Sequence, residues 1–471
     1  RFVRGALHAR SPRPGVPGAA RPPPTASRGE RLSTRPSAPM VQFDLAVLRN
    51  QAVALGWNIW IWFLRAVVRL PSPAFLAGIK DREASSADKD SDRCVCVEIV
   101  GPGGVDRILA RSDCWATCGY DLMKEFDGSQ RIAKPLVTVP PGLVVLRNHA
   151  FSVNYADICV RWGLYESALR FVGWPIIPGF DVAGVVEVAG SDSGFKPGDR
   201  VFGCTLFGGY SSRVVTSGRL LMHLPENLSF QQGASLPAAA GTALHATCLA
   251  GLWPQAPLGN SPDAGYSALV HSAAGGVGSL LCQVLKLQGV RVVGVVGSGK
   301  KVDACKKAGA DVVIDKSAED WAVAAKSAAS KGYSAIFDAN GVSSLGDSYR
   351  LLSCNGRLVV YGFHSNLPKV DGGLGMLSPW TWFLMALDLL RMPRFDPMAL
   401  TLDSKSVLGF NLSFFSEEHK LVERYMEQMG EWVSNGKLTI PPVQEFRFED
   451  TREAHAALQS GRTVGKLVVT L

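Results

Sequence analysis

The chain has 471 residues, of which 47% are hydrophobic, enough apolar side chain to fill more than one folded core. Its formal charge is +8, but residues 1–40 contain eight arginines, no lysine and one acid, so the rest of the chain is close to neutral. A basic excess confined to a proline-rich leader excludes a nucleic-acid-binding face on a folded domain.

The first 92 residues carry no pattern typical of a catalytic domain. Residues 1–40 are rich in Arg, Pro, Ala and Ser, and we predict no fixed structure for them. Two interpretations fit them equally well: a transit peptide, or a mistaken gene model in which the true start is Met40. Residues 41–92 contain an apolar run that is shorter than the roughly twenty residues needed to span a bilayer, followed by a polar linker. Tryptophans and flanking arginines favour residues 52–69 as a helix lying at a membrane interface, with a helix packed on the protein body as the alternative.

Residues 93–235 show the pattern of a small β-barrel. Short apolar runs alternate there with turns marked by Gly and Pro, such as Pro178–Gly179 and Lys196–Asp199. Five motifs, NYAD, RWGLY, PGFDVAGVVEVAG, KPGDRV and GGYSSRVV, follow one another in the order found in the catalytic domain of medium-chain dehydrogenases/reductases. The region therefore resembles the GroES-like catalytic domain of that superfamily.

Zinc-dependent members of the superfamily have a Cys at the position of Asn154 and a His–Glu pair at the positions of Phe180 and Asp181. A catalytic zinc site needs three nitrogen, sulfur or oxygen ligands and one open position, and Asn154 and Phe180 do not supply two of them. The lobe that would carry a structural zinc is also missing, because the chain runs directly from Cys204 to Gly209. We predict that the protein binds no metal.

The ten cysteines are spread without the density of a disulfide framework, which predicts free thiols in a reducing compartment. Cys94 and Cys96 are too close in sequence for structural zinc, and the pair Cys114 and Cys118 has no second pair behind it. Residues 113–134 look like an insertion relative to the family, and no role is assigned to them.

Residues 236–412 show the pattern of a dinucleotide-binding domain. The apolar run Ser267–Val270 leads into His-Ser-Ala-Ala-Gly-Gly-Val-Gly and then into a segment with helical periodicity. Small residues on such a strand-to-helix turn let the backbone approach a pyrophosphate, and the start of the helix adds unsatisfied N–H groups. The strand and helix patterns that follow predict a Rossmann fold, a doubly wound parallel sheet, in an α/β protein. Residues 413–471 are expected to return to the catalytic domain.

The end of the second strand of this domain distinguishes the two nicotinamide cofactors. An enzyme that uses NAD needs an acid there for the ribose 2′-hydroxyl, whereas this chain has the sequence Gly297-Ser-Gly-Lys-Lys. Ser298 and Lys301 suit a 2′-phosphate, and the resemblance adds Lys316, after the next strand. The predicted cofactor is NADPH.

The stretch from Leu269 to Lys286 resembles the signature of quinone oxidoreductases, a zinc-free division of the superfamily, and Tyr361–Phe414 resembles the vesicle amine transport protein-like branch. The resemblance implies a homodimer. It also implies cofactor contacts at Thr242, Ala274, Gly275, Gly276, Val277, Gly278, Asn340, Tyr361, Gly362, Phe363 and Lys466. By the same analogy Asn154 orients a substrate carbonyl and Tyr165 donates a hydrogen bond or a proton.

Without zinc to polarise a carbonyl, a quinone or conjugated enone is a better hydride acceptor than a simple ketone, because its developing charge is delocalised. We therefore predict an NADPH-dependent quinone or α,β-unsaturated carbonyl reductase with its substrate near Asn154, Tyr165 and Phe207. Two alternatives stay open. One is an enoyl-thioester reductase, which a long apolar cleft would favour, and the other is a membrane-associated lipid-handling protein with little turnover, which residues 52–69 would favour. A cytoplasmic location is expected, with organelle targeting through residues 1–69 as the alternative.

Overall fold

The computed structural model describes residues 94–112, 115–117, 130–132, 136–253, 265–366, 379–415 and 419–471. The predictions for residues 1–92 and for most of the 113–134 insertion lie outside the described residues. In the part of the chain that is described, none of the helices has both the length and the apolar character needed to cross a membrane.

The first described region is built on a mixed, mainly antiparallel sheet. Its strands and those of an accompanying two-stranded ribbon are β1 (Val95–Ile99), β2 (Ile108–Ser112), β3 (Trp115–Thr117), β4 (Arg131–Ile132), β5 (Leu143–Val153), β6 (Asp181–Ala189), β7 (Arg200–Cys204), β8 (Arg213–Ser217) and β9 (Leu221–His223). β1 pairs with β2, and the larger sheet has the order β4-β3-β8-β5-β6-β7-β9. The helices of this region are α1 (Tyr155–Arg161), α2 (Glu166–Phe171) and α3 (Phe230–Ala234).

The second region is a six-stranded sheet in which every neighbouring pair is parallel. Its elements are α4 (Pro237–Leu249), β10 (Ser267–His271), α5 (Gly276–Leu287), β11 (Arg291–Val296), α6 (Val302–Lys307), β12 (Val312–Asp315), α7 (Trp321–Ala328), β13 (Tyr333–Asp338), α8 (Leu345–Leu351), β14 (Leu352–Val360), α9 (Pro379–Arg391), α10 (Pro397–Asp403) and β15 (Ser406–Gly409). The strand order β12-β11-β10-β13-β14-β15 confirms the predicted doubly wound α/β fold.

The last described residues return to the first sheet. They form α11 (His419–Ser434), β16 (Val443–Arg447), α12 (Thr451–Gln459) and β17 (Lys466–Thr470). β17 pairs antiparallel to β5, with Leu467 opposite Val153, and parallel to β16. This pairing places the start of β17 beside the end of β5, where the candidate site lies.

Helix α4 joins the two regions. Its sequence, PAAAGTALHATCL, is apolar almost all round, and a helix with that composition is stable only when it is buried. Four of its alanines, Ala239, Ala240, Ala243 and Ala246, belong to one core cluster that also contains Phe202 of the mixed sheet and Val270 of the parallel sheet. The small side chains let both sheets approach the helix closely, so the two regions share a core.

Candidate active site

A cleft of about 1470 Å³ is lined by residues from both sheets. Most of the predicted site residues line it, namely Asn154, Tyr165, Thr242, Gly275, Gly276, Val277, Gly278, Tyr361, Gly362, Phe363 and Lys466. Five others do not line it: Ala274, Ser298, Lys301, Lys316 and Asn340. The sequence motifs therefore converge on one side of the molecule, although they come from distant parts of the chain.

The predicted phosphate-binding turn connects β10 to α5. A Cβ atom added at Gly278 would lie 2.3 Å from the carbonyl oxygen of Ser272, so only glycine allows this close approach. At Gly275 the nearest atom to an added Cβ is the same oxygen at 3.2 Å, a milder contact. The N-terminus of the twelve-residue helix α5 faces the cleft, and its first N–H groups are the kind of donors that bind phosphate. Ala274, behind the turn, accepts a hydrogen bond from the N–H of Gly465 at 2.9 Å.

A pair of lysines lies at the ends of β11 and β12. The Lys301 ammonium donates to the carbonyl oxygen of Gly461 at 2.7 Å. Burial, and then the charge of Lys316, lower the pKa of Lys301, so the two ammonium groups are close enough to repel each other. Ser298 immediately precedes the short turn that carries Lys301. A bound anion would relieve this repulsion, as the predicted 2′-phosphate site requires.

The loops that follow β13 and β14 hold each other in place. The N–H of Asn340 donates to Asp338 Oδ1 at 2.8 Å, and the N–H of Tyr361 donates to the Asp338 carbonyl oxygen at 3.0 Å. Asn340 Oδ1 accepts from the hydroxyl of Ser272 at 3.1 Å. Asn340 thus contacts the phosphate-binding turn from behind, while Tyr361, Gly362 and Phe363 face the cleft.

Asn154 belongs to a buried polar cluster centred on Asp181. The Asn154 amide Nδ2 donates to Asp181 Oδ2 at 2.7 Å and to the Ser152 hydroxyl at 3.2 Å. Asn154 Oδ1 accepts from the Lys466 ammonium at 2.6 Å, and Lys466 Nζ lies 3.4 Å from Asp181 Oδ2. Asp181 also accepts hydrogen bonds from Ser152 and, at 2.6 Å, from the N–H of Ala238 at the start of α4. The sequence indicated Asp181 only as the residue that replaces a zinc ligand, whereas in the structure its carboxylate is the shared acceptor at the centre of this cluster.

Lys466 connects this cluster to the cofactor turn. Its side chain is 5% exposed, and its Cδ lies 2.5 Å from the position that a Cβ at Gly276 would take. A lysine ammonium has three N–H groups, and two of its contacts are Asn154 and Asp181. The cation is thus held at the point where the mixed sheet meets the phosphate-binding turn.

Tyr165 lies on an aromatic wall of the cleft. Its hydroxyl donates to Asn411 Oδ1 at 3.0 Å, and its ring packs edge-on against Phe180 and Phe207. Burial raises the pKa of Tyr165 to about 12, so its hydroxyl stays protonated at neutral pH. Phe207, which was predicted beside the substrate, is buried behind Tyr165 and does not line the cleft.

Two aromatic residues that the sequence analysis did not select meet across the cleft. The rings of Tyr155 and His364 have centroids 3.9 Å apart, and the Tyr155 hydroxyl donates to the His364 carbonyl oxygen at 3.3 Å. Burial lowers the pKa of His364 to about 4, which keeps the imidazole neutral at pH 7. One indication of them was present in the sequence, since Tyr155 directly follows Asn154 and His364 directly follows Phe363, both of which were predicted site residues.

Two thiols, Cys159 and Cys204, also line the cleft. Burial raises the pKa of Cys159 to about 12 and that of Cys204 well above its usual range, so both stay protonated. Among the described residues, no group of three or more His, Cys, Asp or Glu side chains has an arrangement that would hold a metal ion.

Comparisons with known proteins agree with this geometry. Residues 140–226 match the family model described as an alcohol dehydrogenase GroES-like domain, and residues 308–469 match the model described as a zinc-binding dehydrogenase. The chain is 36% identical over 333 residues to a quinone oxidoreductase of Rattus norvegicus, an alignment that covers 70% of this chain and 89% of that protein. It is 28% identical over 376 residues to the synaptic vesicle membrane protein VAT-1 homolog of Homo sapiens, covering 79% of this chain and 86% of that protein.

Solved structures show the same fold. The quinone oxidoreductase of Escherichia coli complexed with NADPH superposes with a TM-score of 0.61 at 22% sequence identity, covering 80% of this chain and 100% of that one. The rat relative, supported by the matched family models, shows the family. The chain belongs to the quinone oxidoreductase-like division of the medium-chain dehydrogenase/reductase superfamily, a family of oxidoreductases.

Proposed function

We propose that the protein is an NADPH-dependent reductase that transfers a hydride to a quinone or an α,β-unsaturated carbonyl compound without a catalytic metal. The observation that carries this proposal is the position of the Lys466 ammonium, fixed by Asn154 and Asp181 in the same cleft as the phosphate-binding turn. A buried cation beside the cofactor turn supplies the charge stabilisation for which other members of the superfamily use zinc.

The residues present fit NADPH. The turn at Gly275–Gly278 and the start of α5 suit the pyrophosphate, because glycine leaves the backbone uncovered and the helix N-terminus attracts negative charge. Ser298, Lys301 and Lys316 suit the 2′-phosphate, since two neighbouring cations lower their mutual repulsion by binding an anion. The related Escherichia coli enzyme was solved in complex with NADPH, which supports the same choice here.

When bound, NADPH supplies a hydride, and the acceptor takes up that hydride and one proton, so that a quinone becomes a hydroquinone and NADPH becomes NADP⁺. We assign the stabilisation of the acceptor oxygen to an N–H of Lys466, because the Asn154 amide already uses its oxygen and its nitrogen within the cluster. Tyr165, protonated at neutral pH, becomes a second donor on the wall of the cleft only when its hydroxyl turns from Asn411 Oδ1 to the acceptor. Asn154 and Asp181 are positioning residues that hold the ammonium in place.

The test measures oxidation of NADPH and of NADH by the full chain, with tetramethyl-para-benzoquinone and a cyclic enone as acceptors. We expect turnover that prefers NADPH and that neither added zinc nor a chelator changes. Loss of a preorganised donor typically lowers kcat by about a hundredfold or more, so Lys466→Met should show a loss of that order. Lys437→Met, which removes an exposed lysine, is the matched control.

Three outcomes would overturn the proposal. Activity that the chelator abolishes would show that a metal takes part. Activity on an enoyl thioester but on neither acceptor would make the protein an enoyl-thioester reductase. Tight NADPH binding without turnover of any acceptor would favour the lipid-handling alternative.

A further inference from the structure

The cleft extends beyond the residues assigned to the cofactor and to Lys466. Its volume of about 1470 Å³ comprises the space next to the cofactor residues, the space around Lys466 and a further part. The additional part, which we call the distal arm, is lined by Leu220, Phe410, Leu412, Phe415, Val422 and Met426. The distal arm and the residues around Lys466 belong to one continuous cavity.

Helix α4 gives the direction and the length of the distal arm. At its start, the N–H of Ala238 donates to Asp181, the anchor of the polar cluster. Two turns further along, His245 contacts the rings of Phe410 and Phe415, with centroids 4.6 and 4.7 Å apart. Seven residues of α-helix correspond to about 10 Å, so Phe410 and Phe415, which line the cavity, lie about that far along α4 from the polar cluster.

Two polar residues, Asn411 and Ser413, line the cavity next to Phe410 and Leu412, but both are hydrogen-bonded within the protein, to each other and to Tyr165 and Ser167. His245, which contacts Phe410 and Phe415 but does not itself line the cavity, is hydrogen-bonded through Nδ1 to the Tyr425 hydroxyl at 2.7 Å. Burial lowers the pKa of His245 to about 4, so its ring is neutral at pH 7. The six side chains that define the distal arm are aliphatic, aromatic or thioether groups, which favours an apolar ligand.

The lining of the cavity also includes an ion pair at Arg219. The Arg219 guanidinium lies 3.6 Å from the carboxylate of Glu423, both residues line the same cavity, and the arginine side chain is largely exposed. The wall of the cavity therefore includes the Lys466 ammonium, the apolar distal arm and this ion pair.

We propose that the distal arm binds an aliphatic tail on the hydride acceptor, so that the preferred substrates are quinones or enones that carry an alkyl or prenyl chain. This inference rests on the proposed function, because the tail is defined by a head group held near Lys466. The reacting atoms and the balance of the hydride and the proton are the same as for an acceptor without a tail.

The test compares kcat/KM for tetramethyl-para-benzoquinone and for analogues in which one methyl group is replaced by n-pentyl or n-decyl. Every ring carbon of these quinones carries a substituent, so no open ring position is left for addition of a thiol. The free thiols of Cys159, Cys204 and the exposed Cys354 therefore do not interfere with the measurement. Each methylene that leaves water contributes about fourfold to binding, so the pentyl analogue should exceed the parent by at least tenfold. The n-decyl analogue should bind at least as well as the pentyl analogue.

Two tryptophan variants on α11 test whether the preference for a tailed quinone arises in the distal arm. Val422→Trp fills the distal arm, and the ratio of kcat/KM between the decyl analogue and the parent quinone should fall by at least tenfold. Glu427→Trp adds the same side chain to an exposed position on the same helix, outside the cavity, and should keep the ratio of the unmodified protein.

Turnover that does not depend on the tail, or an equal fall of the ratio in both variants, would overturn the inference. Failure of the proposed function gives a different result, since no quinone would then be reduced. In that case the Kd of the three quinones for the NADPH-saturated protein decides the question. A Kd that tightens with tail length, and that Val422→Trp weakens, supports the distal arm as a tail site, whereas a Kd independent of the tail refutes it.

Discussion

Replacement of Lys301 by alanine should weaken the binding of NADPH and leave that of NADH unchanged. The Lys301 ammonium and its neighbour Lys316 have a mutual repulsion that the 2′-phosphate would relieve. NADH has a hydroxyl in place of that phosphate, so the lysine adds little to its binding. The difference between the two cofactors therefore isolates the contribution of Lys301 to phosphate recognition.

The structure also sets the size of the effect. A hydrogen bond between charged groups contributes about 1.5–3 kcal/mol. Lys301 first has to give up its 2.7 Å bond to the Gly461 carbonyl oxygen, a contact with a neutral acceptor that contributes about 1 kcal/mol. The net loss is about 0.5–2 kcal/mol, which corresponds to a rise of roughly twofold to thirtyfold in the Kd of NADPH.

The assay is a titration of the full chain with NADPH and with NADH, followed by cofactor fluorescence at low and at moderate salt. Lys307→Ala, which removes an exposed lysine from α6 without touching the predicted phosphate site, is the control and should shift neither Kd by more than about twofold. An equal loss for both cofactors would show that Lys301 acts only through the stability of the fold. An unchanged Kd for NADPH would refute the assignment of the 2′-phosphate site.

Three further predictions test other parts of the site. Gly278→Ala should abolish NADPH binding or lower the free energy of unfolding by about 1–3 kcal/mol, because its Cβ would lie 2.3 Å from the Ser272 carbonyl oxygen. Gly275→Ala should be much milder in denaturant titrations, and equal effects would contradict this explanation. Asp181→Asn should cost about 3 kcal/mol of unfolding free energy, since it leaves the buried Lys466 ammonium without its counter-charge, and a second change, Lys466→Met, should recover part of that loss. The affinity for NADPH should fall as the pH rises past the lowered pKa of Lys301, because the free protein then loses the positive charge of that lysine. The affinity for NADH should not change over the same pH range, and parallel pH profiles for the two cofactors would contradict the prediction.

Local features of the chain predicted the fold class and the cofactor turn. The alternation of strands and helices after Ser267 indicated a parallel sheet, and the structure confirms it. Gly278 was selected because a strand-to-helix turn with small residues is a pattern within a few neighbouring positions. The replacement of zinc-ligand positions by Asn154 and Phe180 was likewise visible at single positions once the family resemblance had been established.

Contacts between distant residues were decided only by the tertiary structure. Lys466 meets Asp181 across 285 positions, because β17 returns to pair with β5 and brings its first residue to the end of that strand. Lys301 meets Gly461 across 160 positions for the same reason, since the loop before β17 passes the ends of the parallel strands. Sequence periodicity reports which face of an element is apolar, but it carries no information about which element that face will contact. The amino-acid sequence by itself therefore determined the fold class and the glycine-rich turn that is predicted to bind phosphate, while the packing of β17 against β5 decided which charged groups meet in the proposed active site.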